Sequence, residues 1–377
     1  MSLTEDQSII RDMARQFATE QLAPEAAERD RTCELPRSVV EEMGALGFMG
    51  VTVDPEWGGA GADYVGYVLA IEAIAGGDGG LSTLMSLTNS PVAAILETYG
   101  TKEQKERYLK PIATGRMVAS FALTEPQAGS DASNLKTRAN RKGNHWVING
   151  TKQFISAGAM SDACLTFAVT DPKAGKKGIT AFMVPTDADG YVVAAKEKKL
   201  GQRSVDLSQI IYDNVEITPD NMVGEEGQGY KIALENLSIG RIGVAGQATG
   251  FAQAAYEAAL VYAKEREAFG KPIIEHQAVA WRLADMATEI EAARLLVLNA
   301  ARLMDAGQPC IKEASMAKLF ASEMAERVCS AAIQTFGGYG YTGDFPVERY
   351  YRDCRVCQIY EGTSDVQRMV ISRVIAE

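Results

Sequence analysis

Histidine is almost missing from this chain: His145 and His276 are the two among 377 residues. A histidine-based metal centre or a Ser-His-Asp triad therefore has little to be built from. Cysteine is also sparse, with six scattered residues, of which Cys354 and Cys357 form a CxxC. One such pair cannot complete a four-ligand zinc site, and no βαβ pattern surrounds it, so reduced, inert thiols are expected. Positive charge is in deficit: 38 Lys and Arg against 49 Asp and Glu give a net charge of −11. No basic stripe offers phosphate contacts, which argues against nucleic acid as a partner. Local arginines and backbone amides still permit a phosphate-bearing cofactor. No apolar run is long enough to span a membrane. The start, Met1 to Gln7, lacks the basic and apolar regions of a signal peptide, so the cytoplasm is the expected compartment.

What is present is an ordinary globular composition, 46% hydrophobic and 23% charged, long enough for two or three structural units. From Thr4 to about Thr114 the chain reads helical, with Thr4 and Gln7 forming a capping box ahead of Ile9, Ile10, Met13 and Phe17. Thr101 to Gln104 opens a further charged helix. Short β-type segments follow: Trp146–Ile148, Gln153–Ile155, Cys164–Thr170, Ile179–Val184, Tyr191–Ala195 and Gln209–Tyr212. Asn149-Gly150 between the first two is a hairpin signal. The helical period then returns over Tyr230–Arg266, Gln277–Ala306, Lys312–Phe336 and after Ser364. Helices, strands and long helices in blocks argue against a doubly wound sheet. The GxGxxG at Gly338 to Gly343 has a helix before it and Pro346 after it, so it is not a dinucleotide fingerprint.

The segment Ile359-Tyr360-Glu361-Gly362-Thr363-Ser364-Asp365-Val366-Gln367-Arg368 places one carboxylate just before a helix start. Ser364 and Gln367 have capping-box spacing, and Val366, Met369, Val370 and Val374 follow at helical intervals. A carboxylate in a partly apolar pocket has its pKa raised and becomes a competent base for a weak C–H acid. Taken alone, the same glutamate reads better as a helix-flanking residue that merely favours the dipole.

This decapeptide resembles the C-terminal signature of the acyl-CoA dehydrogenase family. Further family signatures occur in order: Phe121-Ala122-Leu123-Thr124-Glu125-Pro126 with Ala128 to Asp131, Asn149 to Lys152 with Phe154-Ile155-Ser156, Arg266 to Lys271 with His276-Gln277, and Gln334 to Gly340. The resemblance covers essentially the whole chain. It implies an α+β multidomain fold: an N-terminal α-helical domain (1–116), a central β domain (117–225) and a C-terminal four-helix bundle (226–377). It implies FAD as cofactor and α,β-dehydrogenation of an acyl-CoA, with Glu361 as the catalytic base and its own N–H among the donors to the thioester oxygen.

By the same resemblance Phe121, Leu123, Thr124, Gly129, Ser130, Phe154, Ile155 and Ser156 line the flavin. Phe154, Ser156 and Phe121 stand where many relatives have tryptophan, threonine and tyrosine. Arg266, Phe269, Gln277, Gln334, Gly337 and Gly338 match residues that reach the FAD of a neighbouring subunit, and Thr363 and Asp365 match further FAD contacts. Asp365 departs from the usual glutamine or glutamate. Ser130, Ser238, Arg241, Tyr360 and Gly362 match the substrate side. Gly240 stands where some relatives carry the base on a helix, so it leaves that role to Glu361.

Several of these residues also have plainer readings. Arg241 can be an exposed helical arginine paired with Glu235, Ser130 a turn residue, Phe154 a core aromatic, and Arg266 a surface partner of Glu265 or Glu267. The family norm implies a homotetramer, a dimer of dimers, that passes electrons to an electron-transfer flavoprotein. Relatives that bind a distal anion carry an arginine in the segment matching Leu81 to Ser86; none occurs here, so an uncharged acyl tail is expected, and the overall resemblance implies a short straight or short branched one. Rival readings are an enoyl-CoA reductase or an acyl-CoA oxidase on the same fold, a flavin-dependent hydroxylase, and a non-catalytic helical interaction protein.

Overall fold

The structure, a computed structural model, describes residues 3–376; the side chain of Ser238 lies outside the described residues. The chain opens with α1 (Glu5–Phe17), α2 (Ala23–Thr32), α3 (Arg37–Ala45), α4 (Tyr64–Gly77), α5 (Gly79–Leu87), α6 (Ala94–Tyr99) and the short α7 (Lys102–Gln104) and α8 (Lys110–Ala113). The expected capping box starts α1: Thr4 Oγ1 accepts from the Gln7 N–H at 3.2 Å, and Gln7 Oε1 accepts from the Thr4 N–H at 3.0 Å. Helix α4 is apolar on nearly every face, as a helix inside a core must be, and it packs on the long C-terminal helices.

Eight strands follow: β1 (Ala119–Ala122), β2 (Arg138–Lys142), β3 (His145–Ser156), β4 (Ala163–Val169), β5 (Ile179–Pro185), β6 (Tyr191–Lys196), β7 (Leu207–Ile217) and β8 (Met222–Val223). They form one sheet in the order β6-β7-β3-β2-β4-β5-β8, with β1 added parallel to β4. The hairpin expected at Asn149-Gly150 is not there. These residues lie within the single strand β3, which pairs with β2 on one side and β7 on the other. Gly150 is needed for close approach: an added Cβ would sit 2.6 Å from Thr137 Cα. The turn falls earlier, where Gly143 (φ +63°) and Asn144 join β2 to β3 across the Lys142–His145 pair.

The C-terminal region holds α9 (Gly229–Glu265), a two-stranded ribbon of β9 (Glu267–Ala268) and β10 (Lys271–Pro272), α10 (Gln277–Asp305), α11 (Ile311–Phe336), α12 (Val347–Cys354) and α13 (Ser364–Ala376). At 1.5 Å per residue α9 runs about 55 Å. It packs on α4, α10 and α11, and α13 lies along α11. The result is a helical region, a central sheet and a helical bundle. The GxGxxG segment is a 3-10 turn after α11, with no strand feeding it. No helix among the described residues is long and apolar enough to cross a membrane.

The three regions meet at a buried polar seam. Asp78 caps α5 and accepts from Arg29 Nε at 2.7 Å and from Ser204 Oγ at 2.7 Å. Asp353 of α12 accepts from the Gln202 N–H. Burial raises the Asp353 carboxyl to about 7; the Gln202 N–H opposes that shift, and the charges of Asp30 and Asp78 add to it.

Candidate active site

Glu361 stands on the turn between α12 and α13 in left-handed backbone, φ +55°, followed by Gly362 at φ +88°. Its carboxylate lies over α9 at Gly240, where an added Cβ would be 2.6 Å from Oε2. The bare main chain of that residue is what gives the carboxylate room. Glu361 as a whole is half-buried, but Oε2 is shut off from solvent and has no hydrogen-bond partner. Burial pushes its pKa up to about 7, against the pull of the Arg241 and Lys318 charges.

Arg241 is 7% exposed, its Nε has no partner, and its Nη1 reaches Ser315 Oγ at a long 3.4 Å. The exposed pairing with Glu235 does not occur; Glu235 instead takes the Tyr99 hydroxyl. Burial weakens the Arg241 cation and Glu361 supports it. Tyr360 donates its hydroxyl to Gln247 Oε1, and Gln247 Nε2 donates to Ser82 Oγ and Thr83 Oγ1, each at 2.8 Å. One turn along α9 from Gly240, an added Cβ at Gly243 would meet Tyr67 Oη at 2.5 Å and Ser86 Oγ at 3.2 Å. The Tyr67 hydroxyl is buried and unpartnered. A carboxylate oxygen, a guanidinium N–H and a phenol, all shut away and unpaired, therefore surround one face of α9. Buried polar atoms are normally paired, so such a cluster marks a place for something else to bind.

The capping box expected at Ser364 and Gln367 does not form. Thr363 caps α13, its Oγ1 accepting from the Val366 N–H at 3.3 Å, and Ser364 Oγ has no partner. Gln367 is diverted: its Nε2 donates to the carbonyls of Glu361 at 3.0 Å and Gly362 at 2.9 Å.

The sheet gathers a second group. Leu123 and Ile155 are buried, and their side chains belong to the core. Phe121 packs on Phe167 with centroids 5.0 Å apart. The Thr124 carbonyl accepts from the Gln153 N–H at 2.9 Å. Gly129 and Ser130 lie in an exposed turn, and Ser156 is half-buried. Phe154 is no core aromatic: it is 57% exposed at φ +58°, thrown outward where the register of β3 against β7 shifts.

Beneath this surface Lys152 and Glu125 form a wholly buried pair, Nζ to Oε1 2.9 Å, and Lys152 also donates to the Leu123 carbonyl at 3.0 Å. Burial works against both charges. The Lys152 ammonium and the Lys136 and Thr137 N–H groups still hold Glu125 at about 2, while Lys152 is pulled down to about 8, so both are ionised between those limits.

A third group lies on the bundle. Arg266, Gly337 and Gly338 line a cavity of ≈ 500 Å³, with the Arg266 guanidinium 5.9 Å from the centre of the Tyr339 ring. No carboxylate pairs with Arg266 among the described residues. Phe269, 97% exposed at φ +52°, tips the β9–β10 ribbon edge-on to His276. Gln277 and Gln334 are exposed nearby in sequence. Asp365 points to solvent, 95% exposed, and joins none of the three groups. A further cavity of ≈ 960 Å³ runs along α1, α4, α9 and α10 without Glu361 in its lining, and its Arg294 and Glu72 are already paired at 2.7 Å.

Sequence reading missed Lys318, Gln247, Tyr67 and the true use of Gln367. Lys318 left one trace, a lysine inside the small-residue stripe Ala314, Ala317, Ala321 of α11.

The chain matches the three domain models of acyl-CoA dehydrogenases in order: the N-terminal domain over residues 4–116, the middle domain over 120–215 and the C-terminal domain over 227–376. It belongs to the acyl-CoA dehydrogenase family, whose members are FAD-dependent oxidoreductases. It is 45% identical over 375 residues to an acyl-CoA dehydrogenase of Bacillus subtilis, covering 100% of this chain and 99% of that one. It is 44% identical over 376 residues to the caffeyl-CoA reductase–Etf complex subunit CarC of Acetobacterium woodii, again covering 100% and 99%. The solved butyryl-CoA dehydrogenase of Megasphaera elsdenii superposes with a TM-score of 0.97 at 40% identity over the full length of both chains.

The residues present fit FAD. The exposed Phe154 ring offers a stacking surface, and the Arg266 guanidinium beside the Gly337-Gly338 loop offers a phosphate contact.

Proposed function

We propose that this chain oxidises a short-chain or short-branched acyl-CoA to the trans-2-enoyl-CoA, with Glu361 as the base. The observation that carries this is the buried, unpartnered Oε2 of Glu361 above Gly240. Bound FAD supplies the two-electron acceptor for the hydrogen that leaves the β-carbon. Glu361 takes the α-proton; a carboxyl tuned to about 7 is matched to a proton transfer near neutral pH. The Glu361 N–H steadies the thioester oxygen as negative charge gathers on it. Arg241, Ser238 and Ser130 serve the CoA side, and Tyr360 and Gly362 shape the slot.

Phe121, Leu123, Thr124, Gly129, Phe154, Ile155, Ser156 and Thr363 hold the flavin from one subunit. Arg266, Phe269, Gln277, Gln334, Gly337 and Gly338 reach the cofactor of a second subunit in a homotetramer. The Tyr67 hydroxyl lies hard against α9 at Gly243, a turn beyond Gly240, and this bulk beside Glu361 supports a short tail. The absence of any cation from Leu81 to Ser86 supports an uncharged one. Electrons then pass to an electron-transfer flavoprotein in the cytoplasm. The likeness to a subunit named for caffeyl-CoA reduction favours one alternative, the same site run toward reduction.

Turnover of butyryl- to dodecanoyl-CoA esters, straight and branched, with an artificial electron acceptor tests the reading. Activity is expected on the short esters, rising with pH to a midpoint near 7 as Glu361 loses its proton. Glu361→Gln should keep FAD and CoA-ester binding and lose about 10²- to 10⁴-fold in kcat. Near-normal turnover in that variant would refute the base; reduction of enoyl-CoA without any oxidation of acyl-CoA would select the reverse direction.

A further inference from the structure

The turn that carries Glu361 is held by two buried side chains from two different helices. Lys318 rises from the inward face of α11, 0% exposed, and its Nζ donates to the Gly362 carbonyl at 2.6 Å. Gln367, in the first turn of α13 and also 0% exposed, donates to the carbonyls of both Glu361 and Gly362. Both residues of this turn are at positive φ, and left-handed backbone is disfavoured for a glutamate. Such a conformation persists only where the surroundings over-determine it, and two converging donors on consecutive carbonyls do that.

A neutral donor would satisfy a carbonyl with less desolvation than an ammonium. Yet among the described residues Lys318 has no carboxylate within ion-pair distance. Its charge is instead felt by Glu361.

We propose that Lys318 is a positioning residue for the general base: its ammonium clamps the Gly362 carbonyl and aims the Glu361 carboxylate over Gly240, with Gln367 as the second clamp. The inference rests on the reading of Glu361 as the base and adds the device that sets it.

The charged and titratable groups facing Glu361 are Arg241 from α9, Lys318 from α11 and Tyr67 from α4. Those facing Lys318 are Cys357, Glu361, Arg241 and Glu323. Burial pulls Lys318 down to about 8, so it is largely charged at neutral pH. Removing that charge leaves Arg241, among the described residues, as the cation opposing the burial of Glu361, and the carboxyl must titrate at higher pH.

The test compares Lys318→Met, Lys318→Arg and Glu361→Gln in the FAD-loaded protein. Lys318→Met is expected to lower kcat by about 10- to 100-fold with little change in KM, as a small misplacement of a reacting group does. The midpoint of its kcat–pH profile should rise by about one unit, and Lys318→Arg should bring the midpoint back. An infrared titration of the Glu361 carboxyl band, assigned by its loss in Glu361→Gln, should show the same rise without reference to turnover. If Lys318→Met fails to accumulate as folded protein, Lys318→Gln serves, since it keeps a donor N–H, drops the charge and should still move the band.

The proposal is overturned if the infrared and kinetic midpoints of the charge-removing variant stay at wild-type values, or if kcat falls only in proportion to lost FAD. Full activity in Glu361→Gln would instead overturn the base assignment. An inactive Glu361→Gln beside a Lys318→Met of wild-type profile would remove this inference and leave the base in place.

Discussion

Glu361 drew attention in the sequence because its decapeptide resembles a family signature; a carboxylate, a glycine and a helix start in one stretch would by themselves read as an ordinary helix flank. Its neighbours were not legible in the same way. Helical periodicity says which face of α9 or α11 turns inward, but not that Gly240 lies under a carboxylate or that Lys318 reaches a carbonyl 44 residues away. Those facts belong to the meeting of α9, α11 and the turn before α13. Gly240→Ala isolates this contact. The added Cβ falls 2.6 Å from the free end of a side chain, not from main chain, so the fold can absorb it by moving Glu361. Alanine also favours helix over glycine by up to about 1 kcal/mol. The expected result is a thermal midpoint unchanged or higher, with kcat lower by about 10- to 100-fold. Parallel melting and turnover measurements check it; equal activity would mean that the carboxylate does not work from its position over residue 240.

At the scale of elements, the long helices were read to within a residue or two because their apolar period is sustained. The termini of α9, α10 and α11 at Gly229–Glu265, Gln277–Asp305 and Ile311–Phe336 sit almost where the pattern ends. The strand β3 was misread because Asn-Gly is a turn signal in isolation, and only the approach of Thr137 shows why a glycine is required inside a strand. The Lys152–Glu125 pair was invisible for a similar reason, since two charges 27 residues apart carry no periodicity. That pair ties β3 to the loop after β1 that carries the proposed flavin contacts Thr124 to Ser130. Lys152→Met strands a buried carboxylate and should cost about 3–5 kcal/mol, whereas Glu125→Gln with Lys152→Met removes both charges and should recover most of that loss. Urea unfolding of the three proteins gives the comparison. Equal stability of the single and double variants would show that the charges are not coupled.

Across the whole molecule, the residues proposed to hold the flavin fall into two groups, one on the sheet and one at the end of the bundle. The bundle group opens outward, with Phe269 almost fully exposed and Arg266 beside an open cavity. Surfaces of this kind are completed by another copy of the chain if the proposed tetramer forms. Arg266→Ala should then release FAD on dilution far more readily than wild type while each chain keeps its helical content. Flavin absorbance after gel filtration, with mass by light scattering, measures both; full flavin occupancy in the variant would disprove the intersubunit assignment.

The Asp353 carboxyl gives the junction of the three regions a chemical memory of acidity. With its pKa raised to about 7, it keeps a proton in the folded chain that the unfolded chain gives up near pH 4. The stabilisation from this group is complete below the unfolded pKa, near pH 4, and falls steadily as the pH rises to about 7, where it reaches its floor. In a protein with so many acidic residues, one carboxyl at the meeting of three regions favours the folded chain by staying uncharged, and the passage from acid to neutral pH, not alkali, is what loosens this seam.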